Sequence, residues 1–310
     1  MRVLIALVVL GIALCHGGHH EPLITSQYVE NLKSRASWTV YDYENHPFKG
    51  YTTQQLKGML GLRRNPDYVP KKIDFTVSTN TELPATFDSR TQWPSCVHPI
   101  RDQGQCGSCW AFAASEVLSD RFCIASNGAV NVVLSPQDLV SCDKSDYGCE
   151  GGYLDRSWDY LVGYGIVTED CLPYSSGKGR VAACPKSGTC KTGTWKKYRA
   201  HDYTEFTGIE EIKTSLVNQG PVETGFDVYD DFMNYSSGVY VKTSNQLLGG
   251  HAVKVVGWGV ENGEEHWIVA NSWGTTWGEK GFFRIRFGEC NFESDMIAGT
   301  PLLSSPKNLQ

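Results

Sequence analysis

The chain has 310 residues, 41% of them hydrophobic, which exceeds one average domain and supplies a sizeable core. One or two domains plus accessory segments follow from that length. A net charge of -6 argues against a nucleic-acid-binding surface and offers no basic patch for anionic membranes.

At the N-terminus, Arg2 precedes an apolar run from Val3 to Cys15, followed by small and polar residues up to His20. That is the layout of a secretory signal peptide, placed at 1–17, and the run is too short for a membrane span. No second long apolar run follows, so no membrane span is expected. The C-terminal residues carry no endoplasmic-reticulum retention signal, so the protein is expected to travel through the secretory pathway to a lysosome-like vacuole or out of the cell. Residues 18–82 contain no cysteine. Within them, Leu23 to Trp38 predicts a short amphipathic helix through Tyr28, Val29 and Leu32, and Gln54 to Leu62 predicts a second, before a polar stretch from Asn65 to Glu82. So short an arm would hardly be stable alone, although a small binding domain is the competing interpretation.

From Trp110, apolar residues fall at Ala113, Ala114, Val117 and Leu118, the spacing of an amphipathic helix with one buried face. Cys109 therefore stands at a helix start, where unpaired N–H groups and the dipole favour the thiolate and lower its pKa. Gly104 and Gly107 let the entering loop turn hard into that helix. Further helices are predicted at Ser135 to Ser141, Leu154 to Tyr164 and Gly208 to Gln219. Strands follow at His251 to Trp258, His266 to Asn271 and Gly281 to Phe287, with Glu261-Asn262-Gly263 as a turn, which predicts an antiparallel sheet. The body thus divides into a helical half and a β half.

A thiolate needs a proton partner and an orienting group. Of eight histidines, His16, His19 and His20 lie at the signal boundary, and His46, His98, His201 and His266 stand alone in polar or strand contexts. His251 differs, because it opens a strand after Gly249-Gly250. Asn271 ends the following strand, where its carboxamide can accept the ring N–H of His251 and fix the tautomer. Trp273 and Trp277 are placed to cover that hydrogen bond from water. Asp227, Asp230 and Asp231 form an acid cluster expected to be a solvated face. The sequon Asn234-Tyr235-Ser236 is a candidate N-glycosylation site at Asn234.

The run from Arg101 to Phe112, which contains Cys106-Gly107-Ser108-Cys109-Trp110, resembles the active-site cysteine segment of papain-like proteases, and within them the cathepsin B type. The resemblance covers most of the chain from Leu83 onward. It implies an α+β fold with a helical left domain, an antiparallel barrel-like right domain and the active site in the cleft between them. The peptidase domain would span 83–310, its helical half about 105–200 and its β half about 201–290. Residues 18–82 would be a propeptide that inhibits its own enzyme, with the mature chain starting near Leu83-Pro84.

For the chemistry, the resemblance implies Cys109 as nucleophile, His251 as proton carrier, Asn271 as its orienter and Gln103 as oxyanion donor. No metal and no organic cofactor is required. Gly151 and Gly152, with Gly250 and Trp273, would bind the substrate, and Asp295 would lie at the floor of the S2 pocket, giving acceptance of Arg or bulky apolar residues at P2. The cysteines would pair as Cys96–Cys123, Cys106–Cys149, Cys142–Cys184 and Cys171–Cys190, leaving Cys290 free. The segment from Cys171 to Cys190 holds Lys178, Arg180 and Lys186 but no histidine. The paired histidines behind carboxydipeptidase activity in cathepsin B are therefore missing, and an endopeptidase is expected. Partners would be peptide and protein substrates and cystatin-type inhibitors, met by a monomer. Two other classes compete: a thioredoxin-like oxidoreductase using Cys106 and Cys109 as a C-x-x-C pair, and a catalytically silent binding protein.

Overall fold

The computed structural model describes residues 21–65, 69 and 82–303. The signal segment 1–17 and most of the polar stretch after Asn65 lie outside the described residues. In chain order the arm before residue 66 supplies α1 (Ser26–Lys33), β1 (Thr39–Val40) and α2 (Thr53–Gly58). The body then supplies β2 (Phe87–Asp88), α3 (Ser89–Gln92), α4 (Cys109–Ala125), α5 (Pro136–Cys142) and α6 (Leu154–Gly163). It continues through β3 (Ala200–Phe206), α7 (Ile209–Gln219), β4 (Val222–Tyr229), β5 (Tyr235–Ser237) and β6 (Val239–Tyr240). Four strands complete it: β7 (Leu247–Glu261), β8 (Glu264–Ala270), β9 (Phe282–Arg286) and β10 (Met296–Pro301).

Helix α4 departs from the expected one-sided burial. Every residue from Cys109 to Cys123 is buried, because helices α5 and α6 pack on one side and strands β4, β7 and β10 on the other. Its polar residues are therefore paired. The Arg121 guanidinium, fully enclosed, donates to the carbonyls of Pro221, Gly220 and Gly299, to Ser215 Oγ and to Gln219 Oε1. Lys254 of β7 donates to Asp120 at 2.8 Å and lies 3.5 Å from Glu116, and His98 Nδ1 meets Asp120 at 2.6 Å. His98 is thus not alone as expected. A buried charge left unpaired is costly, so these contacts lock the two halves in one orientation.

The β half is an eight-stranded sheet in the order β3-β10-β4-β7-β8-β9-β6, with β2 also pairing β7. The β7–β8 hairpin closes through Asn262 and Gly263, both at positive φ, as a two-residue turn requires. Two boundaries differ from expectation. The sheet runs past residue 290, since Met296–Pro301 pairs with both β3 and β4, and Phe87–Asp88 joins from the front of the chain. One pair is parallel rather than antiparallel, Val239–Tyr240 beside Arg284–Ile285.

In the arm, helix α2 stops at Gly58 instead of reaching Leu62, because Leu62 is taken up in bridges to Gly152 and Gly250 of the body. Strand β1 pairs with β5, and Trp38 packs between the rings of Tyr235 and Tyr240 with its indole N–H on Val241 O at 2.9 Å.

Phe226, fully buried among Phe232, Phe283 and Phe292, sits where β4 meets β7. Phe226→Ala is expected to destabilise the chain by about 3–5 kcal/mol. The check is a lowered denaturant midpoint, with Phe226→Leu losing less than half as much.

Candidate active site

Cys109 is the first residue of α4, and Gly104 and Gly107 shape the loop that enters it. Gly104 takes a φ of 59°, which other residues resist. Gly107 is required for space instead, since a Cβ there would stand 2.5 Å from Cys149 O. The neighbouring Cys106 is bonded to Cys149, not to Cys109. That removes the C-x-x-C redox pair. The other disulfides are Cys96–Cys123, Cys142–Cys184 and Cys171–Cys190, the pairs implied by the resemblance, and Cys109 and Cys290 are free.

Strands β7 and β8 bring the expected partners together. His251 Nε2 lies 2.7 Å from Asn271 Oδ1, which also accepts the Ser272 N–H at 2.8 Å. An oxygen that already accepts one N–H fixes the amide's orientation, so Nε2 carries the proton. The other ring nitrogen, Nδ1, is buried with no hydrogen-bond partner among the described residues. Trp273 stacks on the His251 ring at 4.6 Å, and Trp277 abuts Trp273 edge-on at 5.0 Å. The fully buried Gln103 is held by Ser272 Oγ–H on its Oε1 at 2.7 Å. Tyr174 O–H braces the same loop through Gln103 O. Ser272 and Tyr174 carried no sequence signal that sets them apart.

The cleft is filled by the chain's own arm. Gln103 Nε2 donates to Met59 O at 2.8 Å and to Cys106 O at 2.7 Å. The Gly61 N–H points at Cys109 Sγ, 3.3 Å away. Gly152 N–H donates to Gly61 O, while Arg63 N–H donates to Gly152 O and Leu62 N–H to Gly250 O. These bridges make Leu62 parallel to Gly152 and antiparallel to Gly250. Arg63 donates to Glu150 O, before Gly151, and lies over the Tyr147 ring. Arg64 reaches Asp295 and Asp227. A cavity of about 380 Å3 between arm and body is lined by Leu62, Arg64, Tyr153, Leu154, Asp295 and Ile297.

Burial reverses the expected activation of the thiol. Enclosed by the arm, Cys109 is pushed up to about 11, because desolvation outweighs the backbone N–H groups that favour the thiolate. His251 is pushed down to about 4 by the same desolvation, against the Asn271 hydrogen bond. Both groups are uncharged near neutrality. His46 in the arm, also buried, is lowered to about 4 by desolvation; its Nδ1 accepts the Phe48 N–H at 3.0 Å.

The acid cluster is not a solvated face. Asp230 and Asp231 are buried, and Asp231 accepts from Tyr240 Oη, Thr243 and Ser244. Asn234 is fully buried too, with Nδ2 on Asp230 O and its carbonyl taken by Tyr41 N–H of the arm. A glycan at Asn234 does not fit this structure. Among the described residues no group of three or more His, Cys, Asp or Glu side chains is placed to hold a metal, and no helix is long and apolar enough to cross a membrane.

A free cysteine at a helix N-terminus and a histidine–asparagine pair, carried on two unlike halves, are the groups that a thiol peptidase would need. Residues 83–300 match the family described as Papain family cysteine protease, and the chain belongs to that family. Cathepsin B-like cysteine proteinase 4 of Caenorhabditis elegans is 44% identical over 292 residues, spanning 82% of this chain and 86% of the relative. Cathepsin B-like cysteine proteinase 5 of the same organism is 40% identical, with 97% of each chain covered. Among solved structures, procathepsin B S9 from Trypanosoma congolense matches with a TM-score of 0.83 and 35% identity, over 91% of this chain and all of the other. Digestive procathepsin L2 from Tenebrio molitor larval midgut matches with a TM-score of 0.73 and 28% identity, over 89% of each chain. The chain is a cysteine peptidase of α+β papain-like fold in its proenzyme form.

Two measurements follow. Iodoacetamide is expected to alkylate Cys109 at pH 7 about a hundredfold more slowly in the full-length chain than after removal of the arm, read by peptide mapping. For His46 and His251, a folded value below the free value of 6.5 means that release of the arm takes up protons. Docking is therefore undiminished above about pH 6.5 and weakens toward pH 4, by about 1.4 kcal/mol per pH unit for each histidine. The full-length Cys109→Ala chain should show a melting temperature that falls over that window, and His46→Gln should flatten the fall.

Proposed function

We propose that the processed enzyme is an endopeptidase working through Cys109, His251 and Asn271, made as a secreted zymogen. The observation that carries this reading is the arm's backbone in the cleft: Met59 O rests on Gln103 Nε2 while Gly61 N–H rests on Cys109 Sγ. A carbonyl at that amide marks where an oxyanion would form. With the arm gone, the thiol loses its apolar cover, the proton passes from Cys109 to His251 Nδ1, and an ion pair results.

The thiolate attacks the peptide carbonyl, forming an S–C bond, and the oxyanion is held by Gln103 Nε2–H and the Cys109 backbone N–H. The imidazolium then gives its proton to the leaving amine as the C–N bond breaks. Water, deprotonated by His251, hydrolyses the thioester and restores the thiol. Asn271 keeps the ring in the required tautomer, and Trp273 shields that hydrogen bond. Gly151, Gly152 and Gly250 would hold the substrate backbone, as the arm's pairing with Gly152 and Gly250 supports, and Asp295 would receive Arg at P2 beside bulky apolar residues.

Carboxydipeptidase activity should be small. The segment closed by Cys171–Cys190 contacts the oxyanion loop, with Gln105 N–H on Gly177 O at 2.8 Å, but brings no imidazole to receive a terminal carboxylate. The remaining assignments are a lysosome-like or extracellular destination, inhibition by the propeptide and by cystatin-type proteins, and a monomeric state.

Titration of the processed protein with an epoxide inhibitor of cysteine proteases at pH 5 to 6 should label Cys109 stoichiometrically. His251→Ala should abolish labelling and lower kcat by about a thousandfold. Absence of labelling after processing would favour a silent binding protein. A dipeptidyl substrate with a free carboxylate should be cleaved no faster than its amide.

A further inference from the structure

Gly225 and Asp227 lie two residues apart on β4 and so share a face of the strand. That face borders the cleft. A Cβ on Gly225 would stand 2.5 Å from Leu62 Cδ2 and 3.2 Å from Asp295 Oδ2, so the absent side chain opens a slot with Asp295 at its edge. Asp227 stands beside it, paired in register with Gly250. The body alone holds it there: Asn291 Nδ2 donates to Asp227 Oδ2 at 2.7 Å, and Asp227 N–H donates to Cys290 O at 2.9 Å.

A cation already occupies the space between the two carboxylates. Arg64 Nε donates to Asp295 Oδ2 at 2.5 Å, and Nη1 donates to Asp227 Oδ1. The Asp227 side chain is 16% exposed and that of Asp295 28%, so both gain from a partner that neutralises them together. Two nitrogens of one rigid plane serve two separate acids, a geometry an ammonium on a flexible stem does not reproduce.

We propose that Asp227 and Asp295 form a two-carboxylate seat for a single guanidinium, and that Asp227 is a specificity-determining residue by which the processed enzyme selects arginine over lysine in peptide substrates. The propeptide's Arg64 is the seat's resident in the proenzyme, and a substrate arginine entering past Gly225 replaces it. This rests on the endopeptidase reading above, to which Asp227 is new. Leucine in the same slot is accepted without engaging Asp227.

The experiment compares fluorogenic peptides that differ only in Arg, Lys, citrulline or Leu two residues before the scissile bond. With the processed enzyme, Arg should exceed Lys and citrulline in kcat/KM by about tenfold. Asp227→Asn should erase most of that ratio through KM, with turnover of the Leu peptide within about twofold of the parent. An unchanged Arg-to-Lys ratio in Asp227→Asn, or an equal loss on Arg and Leu peptides, overturns the proposal. In the full-length Cys109→Ala chain, which requires no turnover, Arg64→Leu and Asp227→Asn should shift the melting temperature non-additively. Additive shifts overturn the seat itself. Failure of the Leu peptide and of epoxide labelling would instead sink the endopeptidase reading, leaving the melting cycle to judge the seat.

Discussion

A helix with no solvent-facing side is the constraint on which this structure depends. Burying α4 all round brings Glu116, Asp120 and Arg121 into the interior with it, and each must find a partner there. Those partners come from far along the chain: Lys254 on β7, Gly299 on β10, and Ser215 and Gln219 on α7. The polar contacts thus fix where the β half sits against the helix. Ala252, two residues before Lys254 on the same strand, directs its backbone N–H at Cys109, so the strand that anchors the helix also meets the helix's first residue. Stability and the make-up of the cleft share one set of contacts.

Latency uses the same cleft without distorting it. The hydrogen bonds of the proposed site are present, Ser272 to Gln103 and His251 to Asn271 among them, yet the charge separation is not. A helix N-terminus favours a thiolate only while some solvent or a cation shares the load; with the arm overhead, desolvation wins. The arm holds on mainly by backbone bridges at Leu62, Arg63 and Gly61 and by the aromatic contacts of Trp38 and Phe48, the latter edge-on to Trp273 at 5.6 Å.

Much of this was legible in the sequence where a single element carried its own signal. The start of α4, the Asn262-Gly263 turn and the presence of β7 and β8 follow from periodicity and turn chemistry, although β7 begins at Leu247 rather than His251 and β8 ends at Ala270, just before Asn271. What stayed hidden depends on contacts between distant segments. Strand β10 contains Gly299 and Pro301 and reads as a loop until Trp158 is seen against Gly299, and β4 is interrupted by Gly225, whose missing side chain makes room for Leu62 and Asp295. Asp230 and Asp231 look like a solvated run because nothing local reveals that Tyr240 and Thr243 fold over Asp231. The altered acidity of Cys109 was likewise unreadable, since it comes from a segment about fifty residues away in sequence.

The arm's covalent tether has a further consequence. Joined to the body, residues 21–65 face the cleft at an effective concentration set by the linking chain, not by how much protein is present. A single cut between Asn65 and Leu83 leaves the bridges that residues 21–65 make to the body but turns the same association bimolecular. From that moment occupancy of the cleft obeys dilution: in a crowded compartment the severed arm rebinds, and in a large volume it is lost. One broken bond thus converts a latch that ignores its surroundings into one that senses how much enzyme lies around it.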